Sequence, residues 1–384
     1  MKYQNKAQFL KRVQSGKIGG IILWQGASLI NGDPIVAVAC RIAQASGNSK
    51  TGDMVQTFIL PDPHAAGIEC SGSRPAKIMA WLKETGARSI CGECPHAWQW
   101  DDSSRQYIKG ACYVREYQSP AAVLGAVYRG SYPIAGVDFP ASWVADCVAG
   151  LAVRLGSYGD PAAVPADMWA RLISRAKSRT GYTHQWASAF PAARANAYRA
   201  RGYLMASCDS PLDYSDAIDS GFRAFLVTPK GDASPRPGMM LCPASNEHEA
   251  RTGKRTNCAK CGACSGAGGK GERMPSVFIP AHGATASRVN TQPRTEGTQT
   301  VSKLKINGAD YETLKRFVSP YYTAERRAKY EFEGLSRTRY LFDGLYKSGI
   351  KIGDGIGTQG DVLLYAYAND DHIKSALSAI DKSC

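Results

Sequence analysis

Between about residues 150 and 283 the chain alternates short apolar runs with stretches of helical periodicity. Leu151–Tyr158 reads as a buried strand, and Ala166–Lys177 reads as a helix with Met168, Leu172 and Ile173 on one face. Gly181–Trp186 is a second strand, followed by an alanine-rich helix near 192–200. Tyr203–Cys208 is a third strand with a short helix near 212–220, Phe222–Thr228 a fourth, and Ser276–His282 a fifth. Strands that alternate with helices predict a parallel sheet with helices packed outside it. Five such units in succession favour an α/β fold organised as a full or partial β/α barrel.

The first ninety residues follow a different pattern. Ile18–Trp24, Ile35–Ile42 and Met54–Leu60 are apolar segments joined by turns rich in Gly, Asn, Ser and Asp. They predict a small antiparallel sheet that closes one end of the barrel or lies beside it. Ahead of them, Phe9, Leu10 and Val13 form an amphipathic stretch ended by Gly16, which lacks the compact apolar core and cleavage site of a secretory signal. Ala284–Ser302 is polar and threonine-rich, and so poor in large apolar residues that a flexible linker is expected. A small, mainly helical C-terminal domain should follow, with helices near 309–318, 323–346 and 370–381 and a turn at Lys351–Gly357. The expected organisation is thus an N-terminal sheet region at 1–90, a cysteine-rich barrel at 91–283, a linker at 284–302 and a small domain at 303–384.

The cysteines change this picture from architecture to chemistry. The chain has 12 of them, and no apolar run long enough to cross a bilayer. A cytoplasmic location is expected, where thiols stay reduced, so a disulfide framework is a poor explanation. Cys40, Cys70, Cys147, Cys208 and Cys384 are scattered, as small buried hydrophobes usually are. Cys242, Cys258, Cys261 and Cys264 form one cluster, with a C-x2-C-x2-C run in a glycine-rich loop. Four soft thiolates suit a tetrahedral zinc ion or a [4Fe-4S] cluster. Incidental thiols in a loop are the plain alternative. The closed ligand count points to a structural role, pinning a loop that has little core of its own.

Cys91, Cys94 and Cys112 form the other cluster. Three thiolates leave one coordination position free, which is what separates a catalytic metal from a structural one. His96, just beyond Pro95, could instead fill that place and close a Cys3His zinc site. Cys112-Tyr113 is expected to open a helix.

In a β/α barrel, chemistry gathers at the carboxyl ends of the strands. Asp160, His184, Asp209 and His282 stand there and are the candidate catalytic residues, although polar residues after apolar runs are also ordinary turn formers. Gly47-Asn48-Ser49-Lys50-Thr51-Gly52 has the composition of a phosphate-cradling loop without its full spacing. A surface turn fits it better, with Lys50 as a candidate cofactor contact; Tyr113 is another. Trp98 and Trp100 lie between Cys94 and Cys112, placed to stack on a ring or to fold over a metal site. The net charge of +14, most of its excess before residue 300, suits an anionic partner such as nucleic acid or a nucleotide.

The order of these motifs carries a resemblance. A C-x2-C-P pair, a later Cys-Tyr, then VRLGSYGD, YTHQW, a second cysteine set and a strand ending in HG resemble a group of cysteine-rich proteins encoded by bacteriophages and prophages. The resemblance covers about residues 20–283 and implies a β/α barrel distantly similar to radical S-adenosylmethionine enzymes, working in the host cytoplasm. It would make Cys91, Cys94 and Cys112 ligands of a [4Fe-4S] cluster whose fourth iron binds S-adenosylmethionine. The usual C-x3-C-x2-C spacing of those enzymes is replaced here by C-x2-C-x17-C. Two functions are therefore expected: an iron-sulfur metalloenzyme acting on a nucleotide or nucleic acid, or a zinc-stabilised module that binds nucleic acid or a host protein without catalysis.

Overall fold

The computed structural model describes residues 1–43, 48–70, 72–268, 274–283 and 285–290, and three strands beyond them. The chain divides into two compact units, Met1–Pro293 and Arg294–Cys384.

The first unit is built on one nine-stranded sheet. In chain order its strands are β1 (Gly20–Ala27), β2 (Pro34–Cys40), β3 (Met54–Pro61), β6 (Ala152–Tyr158), β7 (Ser178–Thr183), β8 (Met205–Cys208), β9 (Ala224–Thr228), β10 (Met239–Leu241) and β11 (Ser276–Pro280). A separate hairpin, β4 (Trp98–Asp101) with β5 (Gln106–Lys109), stands off the sheet. The spatial order is β1-β2-β3-β6-β7-β8-β9-β11-β10. The β1, β2 and β3 pairings are antiparallel, and every pairing from β3 onward is parallel.

The five expected strands are thus present and parallel, in a large, mostly parallel sheet, but the second runs Ser178–Thr183, with Gln185 and Trp186 in the 3₁₀ turn after it rather than in the strand. Two further expectations are corrected. The N-terminal strands are not a sheet of their own, because β3 pairs in parallel with β6 (Met54 with Ala152, Val55 with Val153) and joins them to the rest. β10 is an additional edge strand, too short to show in the hydrophobic pattern, and β11 inserts between it and β9.

Helices α1 (Lys6–Gln14), α2 (Arg74–Thr85), α3 (Arg88–Cys91), α4 (Ser119–Tyr128), α5 (Val144–Cys147), α6 (Ala166–Ile173), α7 (Pro191–Ala200) and α8 (Pro211–Asp219) complete the layers, with α9 (Asn246–Thr252) and α10 (Cys258–Cys261) in the second cysteine loop. α6 ends four residues earlier than its periodicity suggests. The expected helix at Cys112-Tyr113 does not form: residues 112–115 carry no regular structure, and α4 starts at Ser119. There Cys112 N–H is committed to His96 O at 2.7 Å, and buried Glu116 is committed to Lys109 and Trp98, so the segment is tied to the hairpin instead.

Strand alternation gives the sheet two distinct faces. On one, Ala206, Cys208, Ala224, Leu226 and Phe278 pack with Ala197 of α7 and Ala217 of α8. On the other, Met205, Val277 and Ile279, with Tyr182, Phe225 and Val227, pack against Cys242, Ala263 and Cys264. The second cysteine loop therefore covers the face that the helices leave open.

Of the polar stretch expected as a linker, its first described residues form a 3₁₀ turn, Ala286–Asn290, preceded by Thr285, which donates to Ala111 O at 2.9 Å. The rest lies outside the described residues, as do the three expected C-terminal helices. In the second unit the described strands β12 (Lys303–Ile306), β13 (Ile350–Ile352) and β14 (Val362–Ala366) form an antiparallel sheet with β14 in the centre. Lys351 and Ile352 are therefore strand residues where a turn was expected. Among the described residues no helix is long and apolar enough to cross a membrane.

Candidate metal centre

The loop Cys91–His96 docks on the β7–α7 connection through its own polar groups. Gln185 Nε2 donates to Cys91 O at 3.1 Å, and Glu93 Oε2 accepts from Ala189 N at 2.9 Å and Ser188 Oγ at 3.1 Å. Gly92 is required here: its φ is +58°, and a Cβ would fall 2.5 Å from Gln185 Oε1. The hairpin β4–β5 then returns the chain, so that Cys112 leaves beside His96.

This docking brings His96 against residues from two strand ends. His96 Nε2 lies 2.6 Å from Asp209 Oδ1, which follows β8. His184 Nε2, which follows β7, lies 3.2 Å from Asp209 Oδ2. That approach is off the line of a hydrogen bond, and both atoms are buried with no hydrogen-bond partner among the described residues. His96, His184 and Asp209 each offer a ligand atom within 4.8 Å of the others, the one such set of three found among the described residues. Cys94 adjoins it, within electrostatic reach of His184 and His96.

The charges alternate through the group. Burial opposes the Asp209 charge, but His184 and then His96 outweigh it and hold the carboxyl far below the usual range. Burial likewise opposes imidazolium at His184, yet Cys94 and Asp209 raise its pKa well above the ordinary value. His96 is raised by its bond to Asp209 against the same burial cost. Burial raises the Cys94 thiol, but His184 and His96 reverse the balance and its pKa falls. Burial instead dominates Cys91 and Cys112, pushing Cys91 well up and Cys112 to about 12. A buried chain of alternating charges around facing lone pairs is one that a cation can replace, taking the place of the imidazole protons.

Asp160 does not face this group with a free oxygen. Its Oδ1 accepts from Ala162 N at 2.9 Å and its Oδ2 from His184 N at 2.8 Å and Gln185 Nε2 at 3.3 Å. Its carboxylate positions His184.

The remaining candidates gather elsewhere, beside the second cysteine loop. Lys50 Nζ and His282 Nε2 are 2.7 Å apart, and Tyr113 stacks on His282 with centroids 5.8 Å apart. The Tyr113 hydroxyl meets Arg154, a half-buried cation inside an apolar run. Lys50 belongs to more than a surface turn, since Cys258 N donates to Lys50 O at 2.9 Å and ties the turn to the cysteine loop. Cys242, Cys258, Cys261 and Cys264 interact with one another electrostatically, and burial pushes the Cys242 thiol to about 11. No three of these sulfurs are drawn within 4.8 Å of one another. A zinc tetrathiolate spaces them by roughly 3.8 Å, given Zn–S bonds of about 2.3 Å. Trp98 is buried and donates to Glu116 Oε1 at 3.2 Å, while Trp100 is half exposed.

Comparison with protein-family models, with curated proteins and with solved structures finds no match to this chain.

Proposed function

We propose that the protein is a metalloenzyme whose reacting centre is a transition-metal ion held by His96, His184 and Asp209, with Cys94 at its edge. The observation that carries this reading is the convergence of these ligand atoms, from three separate connections, at the carboxyl ends of parallel strands. The 3.2 Å between His184 Nε2 and Asp209 Oδ2 is close to the roughly 3.3 Å between N and O ligands of a tetrahedral ion bound at about 2.0 Å, while His96 and Asp209, at a hydrogen-bond distance of 2.6 Å, would have to part slightly to admit it. Zinc suits this donor set best, and three protein ligands leave it an open position. Bound there, the ion would supply Lewis acidity toward a substrate or water. The protein's part is to fix the imidazoles: Asp160 holds His184 by its backbone, and the Cys112 N–H holds His96 by its carbonyl.

The seven same-direction strands, with chemistry at their carboxyl ends, support reading the sheet as a partial β/α barrel. The net charge of +14 supports an anionic substrate, nucleotide or nucleic acid among them. The resemblance of the motif order to phage-encoded proteins is the ground for placing the protein in a host cytoplasm. The second cysteine set is read as a structural centre.

A second reading is favoured by one observation: Cys91 and Cys112 both lie within electrostatic reach of Cys94. It places a [4Fe-4S] cluster on these three cysteines, with S-adenosylmethionine at the open iron. Metal and sulfide analysis of anaerobically purified variants separates the two. On the first reading His96→Ala and Asp209→Ala each lose about one equivalent of zinc, while Cys91→Ser and Cys112→Ser keep it. If the cysteine variants instead lose iron and sulfide, and the His96 and Asp209 variants keep them, the cluster reading replaces the first.

A further inference from the structure

Beside the second cysteine loop lies a cavity of about 130 Å³, away from the His96–His184–Asp209 group. It is far smaller than the roughly 300–1,000 Å³ of sites for drug-sized ligands, so its occupant has few heavy atoms. Its lining mixes both signs of charge: Lys50 and Arg255 with Glu247 and Glu249. A pocket for phosphate would gather cations and exclude carboxylates, because two like-charged groups in a confined site repel strongly. One lined by both suits a ligand that itself carries both.

The position of Lys50 sharpens this. Lys50 is half-buried, and its ammonium donates one hydrogen bond, to His282 Nε2. Among the described residues no carboxylate lies within ion-pair distance of it. An ammonium has three donors, and a buried one is costly unless paired. His282 Nδ1 faces Pro280 O at 3.4 Å, the tautomer that leaves Nε2 free to accept from Lys50. Ile279 and Pro243 add an apolar wall.

We propose that this cavity binds a small zwitterion of the α-amino-acid class, its carboxylate received by Lys50 and its ammonium by Glu247. The site stands apart from the metal centre and does not depend on that reading. Calorimetric titration of the full-length protein tests it, using L-alanine, L-methionine, propionate, propylamine and inorganic phosphate as probes. The amino acids should bind saturably, and propionate and propylamine, each lacking one charge, at least tenfold more weakly. Lys50→Met and Glu247→Gln should each weaken amino-acid binding at least tenfold; Glu247→Gln keeps its side-chain shape, and an unchanged Tm certifies its fold. The proposal is overturned if neither amino acid binds, if phosphate binds more tightly than both, or if both substitutions leave amino-acid affinity unchanged.

Discussion

Asp160 sits after a strand in the place where catalytic carboxylates often stand, yet its oxygens are spent on three N–H donors of the neighbouring turns. Gly159 makes that possible: at φ +80° it lets Asp160 turn in beside Ile59, where any Cβ would sit 2.7 Å from that side chain. Removing the acceptor strands buried donors, each costing about 1–3 kcal/mol. Asp160→Ala should therefore lower unfolding free energy by roughly 2–4 kcal/mol and reduce metal content by releasing His184, whereas Asp160→Asn should do less of both. Chemical denaturation with metal analysis checks this, and an Asp160→Ala protein of full stability would contradict it. The strand-end rule made His184 and Asp209 legible in the sequence, because an apolar run followed by a polar residue marks both. Their meeting with His96 was not legible, since Asp209 is 113 residues further along the chain. Nor was the pairing of Lys50 with His282, 232 residues apart, nor the meeting of Arg154 with Tyr113.

At the scale of elements, α1 is fastened by chemistry as well as by packing. Phe9 and Val13 bury its apolar face, with Phe9 stacked on Phe139 at 4.4 Å. Asp146 of α5 adds an ion pair to Lys6 of α1 at 2.6 Å and another to Arg175, ahead of β7. The hydrogen bond from Lys6 is the largest cause of the lowered Asp146 pKa. A depressed carboxyl pKa contributes stability above the unfolded value of about 3.9 and loses it as pH falls through the folded value. Asp146→Asn should thus cost only about 0.5–1 kcal/mol at neutral pH, as partly exposed pairs do, and progressively less as the pH falls below the unfolded value. Thermal melts of both proteins from neutral pH into the acid range measure it, and a difference that does not shrink as the pH falls would assign the effect to packing instead. Elements such as α1 were readable because one apolar stripe faces a core. The joining of β3 to β6 was not, since alternation tells which face a residue takes and is silent on which strand lies next to it.

At the scale of the molecule, the pairing of β3 with β6 sets the order in which the sheet can be made. The meander β1–β2–β3 needs only local turns, whereas β6 begins 91 residues after Pro61 and must close that whole span before it pairs. During synthesis at about 5–20 residues per second, the apolar flank of β3 would stand unpaired for roughly 5–20 s. An open strand edge is a template for unwanted pairing with other chains. Ribosome-bound chains arrested between residues 70 and 150 should therefore engage chaperones or co-aggregate, and release once residues 152–158 have emerged. Crosslinking of arrested chains of graded length reads this out, and an unchanged pattern on either side of that length would contradict it. The seam that makes one sheet out of two patterns is also the moment of greatest exposure in the life of the nascent chain.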